Sequence, residues 1–127
     1  MKRNILLLLA GFVLIVLLDV IGSILSRQFQ FNYAILSPLS YIIYIIITFL
    51  IAKQSNRKTV IISGGLLGLF DATIGLLLSN ALNANTGKVN MHQLTLTSYI
   101  FIVVMVVLTA SLFGLFGYWL STKIATN

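Results

Sequence analysis

The chain contains no cysteine and no glutamate, a single proline, a single histidine, and two acidic residues among 127. Absence of cysteine excludes disulfide frameworks, thiolate metal sites, thiol nucleophiles and lipoprotein-type anchoring. One histidine, His92, cannot build a metal centre alone; it is read as an interfacial polar residue or an outer-face pH-responsive group. Gly64-Gly65 and Gly68 are not followed by the Lys-Ser/Thr that a phosphate-binding loop requires. No cofactor motif is present. Charge is scarce as well: 8% of residues are charged and 59% are hydrophobic, whereas a soluble domain carries about 25% charged residues. A water-facing surface cannot be made from this composition, so the chain belongs to the membrane class.

What charge there is has one sign. Eight Lys and Arg against two acids give a formal +6. In a soluble protein that excess would suggest nucleic acid. Here the cations stand at the ends of apolar runs, with no basic stripe interleaved with aromatics. The charge is therefore read as topology signal and headgroup contact, and no nucleic-acid partner is expected.

A membrane-crossing helix needs about 20 mostly apolar residues. Four segments qualify, 4–26, 33–53, 59–82 and 97–121, joined by two very short connections and one longer one, 83–96. The expected fold is all-α: one transmembrane domain over 1–127, four helices in an up-down antiparallel bundle. Strands are excluded because the runs lack alternation and four strands could not close a barrel. The Met1-Lys2-Arg3 start resembles a secretory signal, but its apolar run is longer than the usual h-region, contains Asp19 and lacks a small-residue cleavage site, so it is read as an uncleaved first span. Lys2, Arg3, Lys53, Arg57, Lys58 and Lys123 fall on one side, Arg27 and Lys88 on the other. That bias predicts an integral protein of a bacterial-type cytoplasmic membrane with both termini cytoplasmic. Phe29, Phe31 and Tyr33 would then mark the outer interface, Tyr118 and Trp119 the inner one. Pro38 lies one turn into the second span, where proline is tolerated.

Small and polar residues recur at helical spacing. Gly64, Gly68, Asp71, Gly75 and Ser79 step by four, three, four and four, which on a regular α-helix keeps them within about 80° of one another. The fourth span repeats the pattern with Ala110, Gly114, Gly117 and Ser121. The second carries Ser37, Tyr41, Tyr44, Thr48 and Ala52; the first carries Gly11, Gly22 and Ser26, with Asp19 on the shoulder. Lipid gives helices no hydrophobic reason to associate, so the simplest reading is a packing face made of Gly64, Gly68, Gly75, Ser79, Gly114 and Gly117. The sharper reading is that these faces line a pathway, more readily between copies of the chain than inside four thin helices. A faint repeat pairs Asp19-x2-Gly22-x3-Ser26 with Asp71-x3-Gly75-x3-Ser79, each followed by a Ser-Tyr pair, Ser40-Tyr41 and Ser98-Tyr99.

The two aspartates both interrupt apolar runs. A carboxyl at that depth must be neutralised, paired or functional. Asp71 falls near its span's midpoint; Asp19 lies about 6 Å outward of its own and could be hydrated from the outer side. No Lys or Arg is expected at that depth. The candidate intramembrane polar site is therefore Asp71 and Asp19, with Tyr41, Tyr44 and Thr48 as hydrogen-bond donors. An intramembrane aspartyl protease would need a Gly-x-Gly-Asp setting, and Gly68-Leu-Phe-Asp71 has the wrong spacing. Length and four-helix layout resemble the small multidrug resistance transporters, which carry an essential glutamate in the first span. This chain has no glutamate and a fixed charge bias, so the resemblance is one of architecture. Two expectations follow. One is a non-enzymatic helix-packing or accessory membrane component that associates with itself or a larger complex, its aspartates serving as hydrogen-bond anchors. The other is a proton- or cation-coupled small transporter or channel in which Asp71 titrates.

Overall fold

The computed structural model describes residues 2–87 and 95–125. It contains four helices long and apolar enough to cross a membrane, Lys2–Gln28, Tyr33–Ala52, Arg57–Ala81 and Leu96–Ile124, and no strand among the described residues. These are the first to fourth spans. They agree with the apolar runs to within a few residues at each end. His92 and Lys88 lie outside the described residues.

Helix ends follow local chemistry. The Asn56 side chain accepts from the Thr59 backbone N–H at 3.0 Å and so caps the third span. Asn32 does the same for Ala34 at the entry to the second span, which begins as a 3-10 turn, Tyr33–Leu36, before becoming α-helical at Ser37. Pro38 falls in the first turn of that α-helix, where its missing N–H costs no intrahelical bond. Gln30 and Asn83 adopt positive φ just past the first and third spans, the left-handed step that reverses a chain after a helix.

The second and third spans form the middle of the bundle. The fourth packs against both from one side, and the first packs against both from the other. Glycine decides the closest of these contacts. A Cβ on Gly68 would lie 2.5 Å from the Ala110 Cβ and 2.9 Å from the Val106 carbonyl, and one on Gly64 would lie 2.8 Å from the Ala110 carbonyl. Third and fourth spans thus meet nearly backbone to backbone, with Gly114 completing the seam near Val60 and Gly64. Gly117 brings the fourth span equally close to the second at Ile45 and Thr48. Outward-facing positions carry Leu, Ile, Val and Phe, for example Leu6, Val13, Phe101 and Leu112. That is the surface expected toward lipid.

The third span is not one regular helix. Residues Asp71–Gly75 form a π-turn between the α-helical Arg57–Phe70 and Leu76–Ala81. The Thr73 hydroxyl donates to the Leu69 carbonyl at 2.7 Å, a local bond of the kind that accompanies a disturbed ladder. A π-turn packs more residues into each turn and so rotates everything beyond it. The single face inferred from even α-helical steps is therefore split. Gly64 and Gly68 face the fourth span, whereas Gly75 faces the first span's Asp19.

Candidate functional site

Both aspartates arrive at the same place. Asp19 is only 2% exposed, so neighbouring helices enclose its carboxyl. Lengthening the first span to Lys2–Gln28 and shifting the third to Arg57–Ala81 leaves Asp19 four residues and Asp71 two residues beyond their helix centres. Their depths then differ by only about 3 Å. A Cβ placed on Gly75 would sit 2.5 Å from Asp19 Oδ2 and 2.8 Å from Asp71 Oδ1. Those two oxygens are therefore no more than 5.3 Å apart, and glycine at 75 is what leaves them room.

Each carboxyl has its own tyrosine. The Tyr44 hydroxyl donates to Asp71 Oδ2, and the Tyr33 hydroxyl donates to Asp19 Oδ1. Ser40 places a further hydroxyl beside Asp71. Asp19 Oδ2 is buried and has no hydrogen-bond partner among the described residues. Neither carboxyl forms a salt bridge among the described residues. The Ser23 hydroxyl, one turn along the first span, is also buried and unpartnered.

The pair opens on a cavity of about 290 Å³ in the half of the bundle away from the termini. Leu18 and Asp19 enter from the first span; Tyr33, Ser40, Tyr41 and Tyr44 from the second; Asp71, Gly75 and Ser79 from the third; Ile102, Met105, Val106 and Thr109 from the fourth. Beyond it, the segment after the third span is tied down. The Asn85 backbone N–H donates to Ser26 Oγ at 3.1 Å, and the Tyr33 N–H donates to the Asn85 carbonyl at 2.7 Å. One short stretch thus fixes the C-terminal end of the first span, the N-terminal end of the second and the tyrosine that holds Asp19.

Of the expected donors, Tyr44 reaches a carboxyl. Tyr41 lines the cavity and stacks on Phe113 at 4.7 Å between ring centroids; it makes no bond to either aspartate. Thr48 turns back on its own helix, donating to the Tyr44 carbonyl at 2.5 Å, and packs against Gly117; it belongs to the helix seam. Gly75, grouped by spacing with the packing glycines, belongs to the carboxyl pair. Tyr33, by its position an interfacial aromatic, instead bonds Asp19. Its partnership with Asp19 depends on the 3-10 entry folding it back over the first span, which no periodicity reveals. The faint repeat does not extend to environment: Ser40 is buried beside Asp71, while Ser98 is exposed and bonds Thr95.

Removing the Tyr44 hydroxyl strands one oxygen of Asp71. Tyr44→Phe is expected to lower stability by about 0.6–1.7 kcal/mol, the range for interhelical hydrogen bonds in membranes, as measured by unfolding in mixed micelles. Tyr41→Phe is the control and should cost less. Equal losses in the two variants would contradict the assigned bond.

No protein-family model, curated protein or solved structure matches this chain.

Proposed function

We propose that this chain is a proton- or cation-coupled small carrier or channel of the membrane, with the Asp19–Asp71 pair as its exchanging group. One observation supports the reading above all: two buried carboxyls, with no cation lining their cavity among the described residues, share that cavity, and one keeps an unpartnered oxygen. An aspartate used only as a packing anchor has every reason to satisfy both oxygens, because an orphaned polar atom in an apolar interior is costly. The π-turn beginning at Asp71 is in keeping, since such turns are frequent at functional sites. An acid pair without a fixed cation can hold protons or a mobile cation, and exchange between these is the elementary step of coupling.

Peptide cleavage is the weaker reading of two close aspartates. A hydrolytic dyad must present both carboxyls to one water, whereas here each commits an oxygen to its own tyrosine. In the proposed orientation both termini and the Lys53–Lys58 connection are cytoplasmic, following the cation bias, so the cavity lies in the outer half of the bilayer.

The test is pH-driven flux in sealed vesicles containing the purified chain, followed with an internal pH dye and compared with Asp71→Asn. Flux that depends on protein and on Asp71 supports the reading; protein-dependent flux unchanged by the substitution refutes it.

A further inference from the structure

We propose that the cavity binds a small organic ammonium ion, its N–H groups donating to the Asp19 and Asp71 carboxyls beside Gly75 and its apolar body lying among the tyrosine and aliphatic side chains. The proposal rests on the carrier reading above and names its substrate class.

The walls select charge and shape together. No cation lines the cavity among the described residues, so nothing there pairs with an anion, whereas its two acids can each give up a proton to a cation. A bare metal ion is a poor match: a volume of about 290 Å³ is far larger than the roughly 30 Å³ share of one water. It lies at the lower edge of the range for small-molecule pockets. Leu18, Leu36, Ile102, Met105 and Val106 make much of the wall apolar, and the rings of Tyr33, Tyr41 and Tyr44 complete it. Aromatic faces and carboxylates are the two protein surfaces that favour an organic cation. The unpartnered Asp19 Oδ2 narrows the class further. It lacks a donor, which a primary or secondary ammonium brings and a quaternary ammonium does not.

Charge balance sets the stoichiometry. The resting pair is held neutral, each group a carboxylic acid, because no fixed cation lines the cavity among the described residues. When R–NH3+ enters, one carboxylic O–H bond breaks, its proton leaves for water, and the resulting carboxylate pairs with the ammonium. One cation enters for one proton released, and the charge of the site is unchanged. Among the described residues, the titratable groups facing the site are Asp19 from the first span, Tyr33, Tyr41 and Tyr44 from the second, and Asp71 from the third. The fourth span contributes Ile102, Met105, Val106 and Thr109, none of which titrates. Binding must then weaken as pH falls, approaching about tenfold per pH unit while the pair is protonated at rest, as release of one proton requires.

Benzylammonium is a suitable probe, titrated calorimetrically into the full chain in detergent, in two buffers of different ionisation enthalpy. Saturable binding with release of one proton is expected. Asp19→Asn should weaken it by roughly thirtyfold or more, as for loss of one partner of a buried charge pair. Gly75→Ala keeps both acids but drives a methyl between them. Because its first contacts are the movable ends of two side chains, it should fold, confirmed by an unchanged helical spectrum, yet lose binding. Benzyl alcohol and tetramethylammonium should not compete. Heat that persists equally in both variants would mean partition into the micelle and overturn the proposal. So would displacement by sodium or potassium, or equal affinity for tetramethylammonium. Asp71-dependent proton flux without benzylammonium binding would overturn the substrate class and leave the carrier reading standing. Binding without such flux would uphold the site and overturn the carrier reading.

Discussion

Asp71→Asn is expected to reduce pH-driven flux to the level of protein-free vesicles while leaving the bundle assembled. An amide has nearly the shape of the protonated acid, and its oxygen can still accept the Tyr44 hydroxyl that now reaches Asp71 Oδ2. Helix content, thermal unfolding and elution volume should therefore stay near those of the parent chain. What the amide cannot do is release a proton or carry a negative charge, so exchange at the pair stops. Asp19→Asn should act in the same direction, because the two carboxyls share the space beside Gly75. The contrary outcome is equally clear. If flux survives Asp71→Asn while Tyr44→Phe lowers stability, Asp71 is a hydrogen-bond anchor and the accessory-component reading takes precedence.

The largest effect on stability is expected at Gly68. A leucine there must place its Cβ about where the Ala110 Cβ and the Val106 carbonyl already are, at 2.5 and 2.9 Å. The carbonyl belongs to helix backbone, so relief requires the third and fourth spans to separate. Overpacking of this kind costs about 1–3 kcal/mol, at times more. Separation would also strip the neighbouring Gly64 and Gly114 contacts that hold the same seam. Unfolding of the purified chain in mixed micelles measures the effect, with Gly65→Ala as comparison. At Gly65 a Cβ lies 3.1 Å from the Ser111 hydroxyl and 3.8 Å from Val107, both side-chain atoms that can yield. Comparable losses at the two positions would show that the close approach at Gly68 does not govern the seam.

These two sites also separate the roles that spacing alone had joined. Gly64, Gly68, Asp71, Gly75 and Ser79 read as one stripe because every step is three or four. The π-turn at Asp71–Gly75 breaks that arithmetic, so the first half of the stripe packs helices and the second half borders the cavity.

The sequence alone determined the membrane class, the four spans and their antiparallel order, because crossing lipid demands long apolar helices and so writes itself into composition. It also singled out both aspartates and Tyr44, since polar groups inside apolar runs are rare enough to stand out. Only the tertiary structure decided that Asp19 and Asp71 come together beside Gly75, that Tyr33 bonds the first of them, and that Thr48 bonds its own helix instead. The physical reason is that depth and helical phase place a residue along and around its own helix. Which neighbour it meets depends on how helices sit side by side, and here a π-turn and a 3-10 entry turn, neither marked by any periodicity, rotate Gly75 and Tyr33 toward Asp19.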